Sequence, residues 1–235
     1  MTPAWLRPLA EVAARDDVAD LVRFRVPPMP DGPSREAAVL VLFGEPSPGE
    51  GDVLLIERAA QLRAHAGQPA FPGGAVDPGD EGAVGAALRE AREETGVDPA
   101  GIDVLAVLPS LFLPVSSFVV TPVLAWWREP SAVAPGDVAE VAAVHRVPLA
   151  ELVEPENRLR IRYPSGWVGP AFLVSGMTVW GFTAGLLDRL LALGGWERPW
   201  DSSHVADLAD LQLDVSVPDE PLADQKDDPQ PGESV

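Results

Sequence analysis

Three glutamates, Glu90, Glu93 and Glu94, stand beside Arg89 in the run Arg89-Glu-Ala-Arg-Glu-Glu-Thr-Gly-Val97. On a helix each residue advances about 100° around the axis, so the three carboxylates share one side and repel one another unless a cation lies between them. Hard carboxylate oxygens suit Mg2+ or Mn2+, and such ions bridge readily to phosphate oxygens. Arg89 lies one turn before Glu93 and is placed to orient or neutralise it. Metal-assisted attack on a phosphate is the chemistry this spacing offers, with Glu90, Glu93 and Glu94 as candidate metal ligands. Its rival is a solvated glutamate-rich face, which is what an arbitrary helix of this composition usually is.

A second group lies upstream, in Leu54-Leu-Ile-Glu-Arg-Ala-Ala-Gln-Leu-Arg-Ala-His-Ala-Gly-Gln68 and its continuation Phe71-Pro-Gly-Gly-Ala-Val-Asp77. It places Arg58, Arg63, His65 and Gln68 ahead of Gly73 and Gly74. Arginine offers planar, charge-assisted hydrogen bonds to phosphate, and Gly67 allows close backbone approach. Plainer roles exist: Arg58 as a surface ion pair, His65 as a brace for the loop, Phe71 as core.

The surrounding sequence reads as the scaffold for these groups. Ala38 to Phe43 and Val53 to Arg58 form strands around the turn-rich Gly44 to Gly51. Gln61 to Gly74 has neither helical nor strand periodicity and reads as a functional loop. Glu81 to Thr95 is helical, with Asp80 as N-cap and Gly96 as a left-handed stop. Val104 to Trp127 carries no charge over 24 positions, long enough to span a bilayer. Pro109, Pro114 and Pro122 break it instead into two buried strands joined by a turn. Further strands follow near Ala142 to Val147 and, as a hairpin, from Ile161 to Val174; short and final helices follow Pro148 and span Gly181 to Leu193. A strand-rich centre with few helices gives an α/β sandwich. The N-terminal residues 1–34 read as helical pieces and a Pro-rich linker, 35–200 as the domain, and 201–235 as an acidic, disordered tail.

Composition narrows the partners. The 235 residues carry a formal charge of -19, which argues against nucleic acid held on a general basic surface. Without any cysteine, thiol nucleophiles and zinc-thiolate sites are excluded. No Gly-Lys-Ser/Thr or Gly-x-Ser-x-Gly occurs, so neither a P-loop nor a serine hydrolase is supported. Charges interrupt the apolar residues of the N-terminus as no secretory signal would allow, and a cytoplasmic location without membrane partners is expected. A homodimer is compatible with the sequence.

The run Arg89 to Val97 resembles the end of the Nudix box at every specified position, and the resemblance extends from about Arg35 to Trp200. Glu81 stands at the box spacing before Arg89, whereas the expected box glycine is replaced by Ala75, with Gly74 one place early. The segment from Leu54 to Asp77 is similar to the signature of the coenzyme A pyrophosphatase branch, with Arg58, Arg63, His65, Gly67 and Gln68 at the family spacing; Glu57 and Pro69 differ from the commoner residues. Val179 to Gly185 resembles the terminal helix of that branch. The resemblance implies an α/β/α sandwich with a mixed central sheet and Mg2+- or Mn2+-dependent hydrolysis of CoA or its derivatives. It puts metal first on Glu90 and Glu94, leaves Glu93 as a further ligand or the base, and makes Glu140 the candidate base from a later loop. Arg58, Arg63, His65, Gln68, Gly73 and Gly74 become candidate substrate contacts. Two rivals remain: a diphosphatase for ADP-ribose or a nucleotide sugar, using the same helix, and a non-catalytic sensor, which often lacks the metal carboxylates this chain retains.

Overall fold

Ala38 to Phe43 is apolar at every position, a pattern suited to a strand covered on both faces. It forms the middle of β1 (Arg35–Ser47), which pairs antiparallel with β2 (Glu50–Arg58) and parallel with β7 (Phe118–Trp127). The computed structural model describes residues 1–15, 17–18, 35–60, 67–113, 117–211 and 213. Arg63, His65, the Pro-rich linker and the sequence beyond 213 therefore lie outside the described residues.

The remaining strands of the large sheet are β3 (Pro69–Ala70), β4 (Gly73–Ala75), β5 (Ile102–Val107), β6 (Leu111–Leu113) and β8 (Val141–Pro148). Their order is β3-β2-β1-β7-β5, with β4 also on β1, β6 on β7 and β8 on β2. Among the described residues four α-helices accompany them: α1 (Arg7–Ala13), α2 (Gly82–Thr95), α3 (Leu149–Val153) and α4 (Gly181–Leu193). Strand alternation sends Leu40 and Leu42 to one face, where Ala86, Ala87 and Ala91 of α2 pack on them. Val41 and Phe43 go to the other, against Leu6 and Leu9 near α1 and Leu186, Leu187 and Leu190 of α4. The result is the expected α/β/α sandwich around a mixed sheet. A smaller sheet, β11-β10-β9-β12, comprises β9 (Arg158–Arg162), β10 (Val168–Val174), β11 (Met177–Val179) and β12 (Val205–Asp207).

Several boundaries differ from the sequence reading. β1 runs on to Ser47, opposite Glu50, so the turn is tighter than Gly44 to Gly51 and Gly49 supplies its positive φ of 81°. The uncharged run becomes three strands because pairing lapses between Val107 and Leu111, around Pro109. Among the described residues no helix is long and apolar enough to cross a membrane. The N-terminal piece is part of the main core: Leu6 and Leu9 are fully buried, and Trp5 packs on Phe43, Trp126 and Trp196.

The acidic tail drawn from Asp201 is corrected over its first third. Val205–Asp207 pair parallel with β9 and Leu208 is buried. Upstream, the buried Arg158 guanidinium bonds Asp188 and Glu197 and lies under Trp200, 4.6 Å from its ring centre. The mean charge of the segment conceals this short apolar stretch, Val205-Ala-Asp-Leu208, which finds an open sheet edge. A chain ending at Trp200 will therefore melt below one ending at Leu213, as read by thermal unfolding. Leu208→Ala will cost about 2–3 kcal/mol in urea titration, low in the Leu→Ala range because its cluster is small.

Candidate active site

Helix α2 is fixed at both ends by its neighbours. Gly96 takes φ 70° and its N–H donates to the Arg92 carbonyl at 2.9 Å, the left-handed stop expected. At the other end Glu81, not Asp80, occupies the N-cap position, and no side chain caps it. The Asp80 carboxylate is turned instead toward Arg89, accepting from Nε at 2.9 Å and Nη2 at 3.0 Å. The loop through Pro135-Gly-Asp137 crosses the C-terminal end of α2, where the N–H groups of Ala134 and Gly136 donate to the carbonyls of Thr95 and Glu94, each at 3.0 Å. A side chain at Gly136 would collide with the Glu93 carbonyl, so only glycine permits this approach.

The three glutamates do not converge equally. Glu94 is 7% exposed and its Oε2 accepts from the Gly73 N–H at 2.9 Å. Burial pushes its carboxyl up to about 7; the Gly73 hydrogen bond and the Arg58 charge oppose this, and Glu90 and Glu140 add to it. Burial likewise raises the pKa of Glu90, against the pull of Arg89. Glu90 lies so close to Gly74 that a Cβ there would stand 2.5 Å from its Oε1. Glu93 points outward with its side chain 59% exposed, and accepts from Arg89 Nη1 at 3.1 Å. The 100° step around the helix axis thus separates an inner pair, Glu90 and Glu94, from an outer Glu93.

Arg58 ends β2 at this inner pair. Its N–H donates to the Gln68 carbonyl at 3.1 Å and its carbonyl accepts from Gly67 at 3.0 Å, closing the loop that contains Arg63 and His65. Arg58 Nε is buried without a hydrogen-bond partner among the described residues, while the Arg58 charge reaches Glu94. The Glu140 carbonyl accepts from Ala59 at 2.9 Å and its N–H donates to the Asp137 carbonyl at 3.0 Å, holding this exposed residue next to Arg58 in the sheet. The fold therefore gathers Arg58, Gln68, Gly73, Gly74, Glu90, Glu94 and Glu140, and leaves Glu93 at the rim. Phe71 is core, as its plainer reading held. Gly136 and the bond from Asp80 to Arg89 escaped the sequence reading; neither has a local pattern that announces it.

This donor set fits a hard divalent ion. Two carboxylates whose burial is unfavourable when charged gain most from a cation between them, and Mg2+ commonly takes one or two carboxylates, completing its shell with water and substrate phosphate. Among the described residues no three acidic or histidine side chains form a ready-made cage. In metal-free protein the native state holds the Glu94 proton between its ordinary value of 4.5 and about 7, where the unfolded chain has lost it. The stability contributed by Glu94 is therefore full below that window and is lost as pH rises through it. Urea unfolding in EDTA between pH 4 and 8 will show this decline, Glu94→Gln will flatten it, and Mn2+ will restore stability at pH 8.

Comparison with known proteins identifies the family. Residues 33–166 match the NUDIX domain family. A Cronobacter sakazakii protein named "Uncharacterized Nudix hydrolase NudL" is 42% identical over 178 residues, covering 70% of this chain and 85% of that protein. Its namesake from Pectobacterium atrosepticum is 37% identical over 198 residues, covering 79% and 97% respectively. A crystal structure of a NUDIX hydrolase from Nitrosomonas europaea aligns with a TM-score of 0.47 at 16% identity, covering 76% of this chain and 81% of that one. The chain belongs to the Nudix family of hydrolases, which act on diphosphate-containing substrates and generally need divalent metal ions such as Mg2+ or Mn2+.

Proposed function

We propose that the protein hydrolyses the diphosphate of coenzyme A or a CoA derivative. The observation that carries diphosphate hydrolysis is the pair of partly buried Glu90 and buried Glu94, with the Arg58 charge acting on Glu94 and Arg58 Nε without a hydrogen-bond partner among the described residues. Carboxylates for a metal ion and a guanidinium for phosphate oxygens, side by side, suit a metal-bound diphosphate. What supports CoA in particular is the segment from Leu54 to Asp77, since CoA adds a 3′-phosphate for which arginines near the metal helix supply planar donors.

Hydrolysis adds water across the P–O–P bridge: a water oxygen bonds to one phosphorus, the bridging bond breaks, and the other phosphate leaves as a monoester. From CoA the products are adenosine 3′,5′-bisphosphate and 4′-phosphopantetheine, or acyl-phosphopantetheine from a thioester. Glu90 and Glu94 would hold Mg2+ or Mn2+, which when bound supplies Lewis acidity and acidifies coordinated water. Glu140 is the preferred base for the water proton, because its backbone is fixed beside Arg58 while its carboxylate is exposed. Glu93 is the second candidate, as base or further ligand, and its bond to Arg89 favours a supporting part. Arg58, Arg63, His65 and Gln68 would contact the nucleotide, with Gly74 giving the room that Glu90 needs and the Gly73 N–H holding Glu94.

Glu90→Gln and Glu94→Gln will leave the fold intact and lower kcat roughly 100-fold or more, about 2.7 kcal/mol of barrier. Wild-type turnover in both would remove the metal assignment. Arg58→Ala and Arg63→Ala, compared on CoA and dephospho-CoA, test the 3′-phosphate: one should lose about tenfold more kcat/KM on CoA, the worth of one charge-assisted hydrogen bond. Equal losses on both substrates in both variants would discard that contact. Mass analysis of products from CoA, acyl-CoA, ADP-ribose and NADH with Mg2+ or Mn2+ decides the substrate, and better turnover of ADP-ribose than CoA would overturn the assignment.

A further inference from the structure

The Arg89 guanidinium has five N–H donors, and all five are used. Nε and Nη2 donate to the two oxygens of Asp80 at 2.9 and 3.0 Å, and Nη2 also to the Ala75 carbonyl at 3.0 Å. Nη1 donates to Glu90 Oε1 at 2.9 Å and to Glu93 Oε2 at 3.1 Å. A planar group held by a two-point bond on one side has little freedom on the other, so the Asp80 bond fixes where Nη1 points. Nη1 in turn fixes one oxygen of Glu90.

Asp80 is itself held. Its side chain is 7% exposed, its N–H donates to the Asp77 carbonyl at 3.0 Å, and its Oδ2 accepts from the Asp77 N–H at 2.8 Å. The turn from Asp77 to Asp80 is thus closed in both directions before it meets Arg89. Glu81, which stands at the box spacing, is exposed and makes no hydrogen bond or ion pair with Arg89 in the described structure. With both oxygens occupied by fixed partners, Asp80 supports the metal site from behind.

We infer that Asp80 is a positioning residue of this enzyme: through Arg89 it aims the Glu90 carboxylate into the site, a task that falls to Asp80 and not to Glu81 in this chain. Carboxylates that are themselves held by hydrogen bonds make better defined ligands, and loss of such an outer partner typically weakens metal binding or activity by about 10–100-fold. The inference rests on the metal-dependent diphosphatase reading of the site and is independent of which diphosphate is cleaved.

The test compares Asp80→Ala, Asp80→Asn and Glu81→Ala with the unaltered full chain. Mn2+ binding without substrate is read by electron paramagnetic resonance, kcat and KM on CoA by product release, and folding by circular dichroism and Tm. Asp80→Ala should weaken Mn2+ binding about 10–100-fold and lower kcat more than it changes KM. Asp80→Asn, which keeps one acceptor, should fall between Asp80→Ala and the unaltered protein, while Glu81→Ala should bind Mn2+ normally. Folded Asp80 variants with unchanged Mn2+ affinity would overturn the inference, as would a loss in Glu81→Ala equal to that in Asp80→Ala. If Asp80→Ala does not fold, the nearly isosteric Asp80→Asn carries the same comparison. If the unaltered protein leaves CoA intact, the substrate assignment fails, and the Mn2+ series still decides the role of Asp80.

Discussion

Glu94 carries a carboxylate inside the protein, and the cost of that burial organises the site. An isolated buried charge is expensive, and two neighbours of Glu94 offset part of that cost while Glu90 and Glu140 add to it. The Gly73 N–H occupies one oxygen, and the Arg58 charge lies nearby. What they leave uncompensated is a demand for positive charge, which a metal ion would meet. Two glycines bring the backbone close enough for this: Gly73 sits where a Cβ would strike the Ala38 carbonyl and Gly74 where it would strike Glu90. The segment must approach both the sheet and the helix more closely than any side chain would permit.

The central sheet makes this arrangement reproducible. β4 pairs with β1 through Ala38 opposite Gly74 and Val39 opposite Gly73, so the backbone that bonds Glu94 is itself held in a ladder. Arg58 and Glu140 arrive from β2 and the start of β8, which pair with each other. Helix α2 is pressed onto the same sheet by alanines, which bring its axis close. Site residues from distant parts of the sequence are thus positioned by backbone pairing, with few degrees of freedom left to side chains.

What could be read beforehand was what neighbouring residues decide. The glutamate spacing and Gly96 marked α2 because caps and helical periodicity act within a few residues, and the apolar run of β1 announced a strand with two covered faces. Asp80 was misread because an aspartate before a helix has two uses for its oxygens, and the choice depended on an arginine nine positions on. The docking of Val205 to Leu208 was hidden for a similar reason: a short apolar stretch in acidic surroundings packs only if a sheet edge awaits it. The inward or outward direction of Glu93 is a matter of tens of degrees around a helix axis, which the position of the sheet decides.

The contact between Trp5 and Trp196 bears on how the protein is made. Trp196 Nε1 donates to the Trp5 carbonyl at 3.2 Å and both rings pack with Phe43, joining one layer of the core across most of the chain length. During synthesis the first helix will therefore leave the ribosome long before the residues that cover it exist. Loop-closure entropy opposes so distant a contact until intervening structure has formed. The central sheet can assemble from earlier segments, but the aromatic layer is completed only after residue 196 emerges, and until then Trp5 and Phe43 lack part of their native cover.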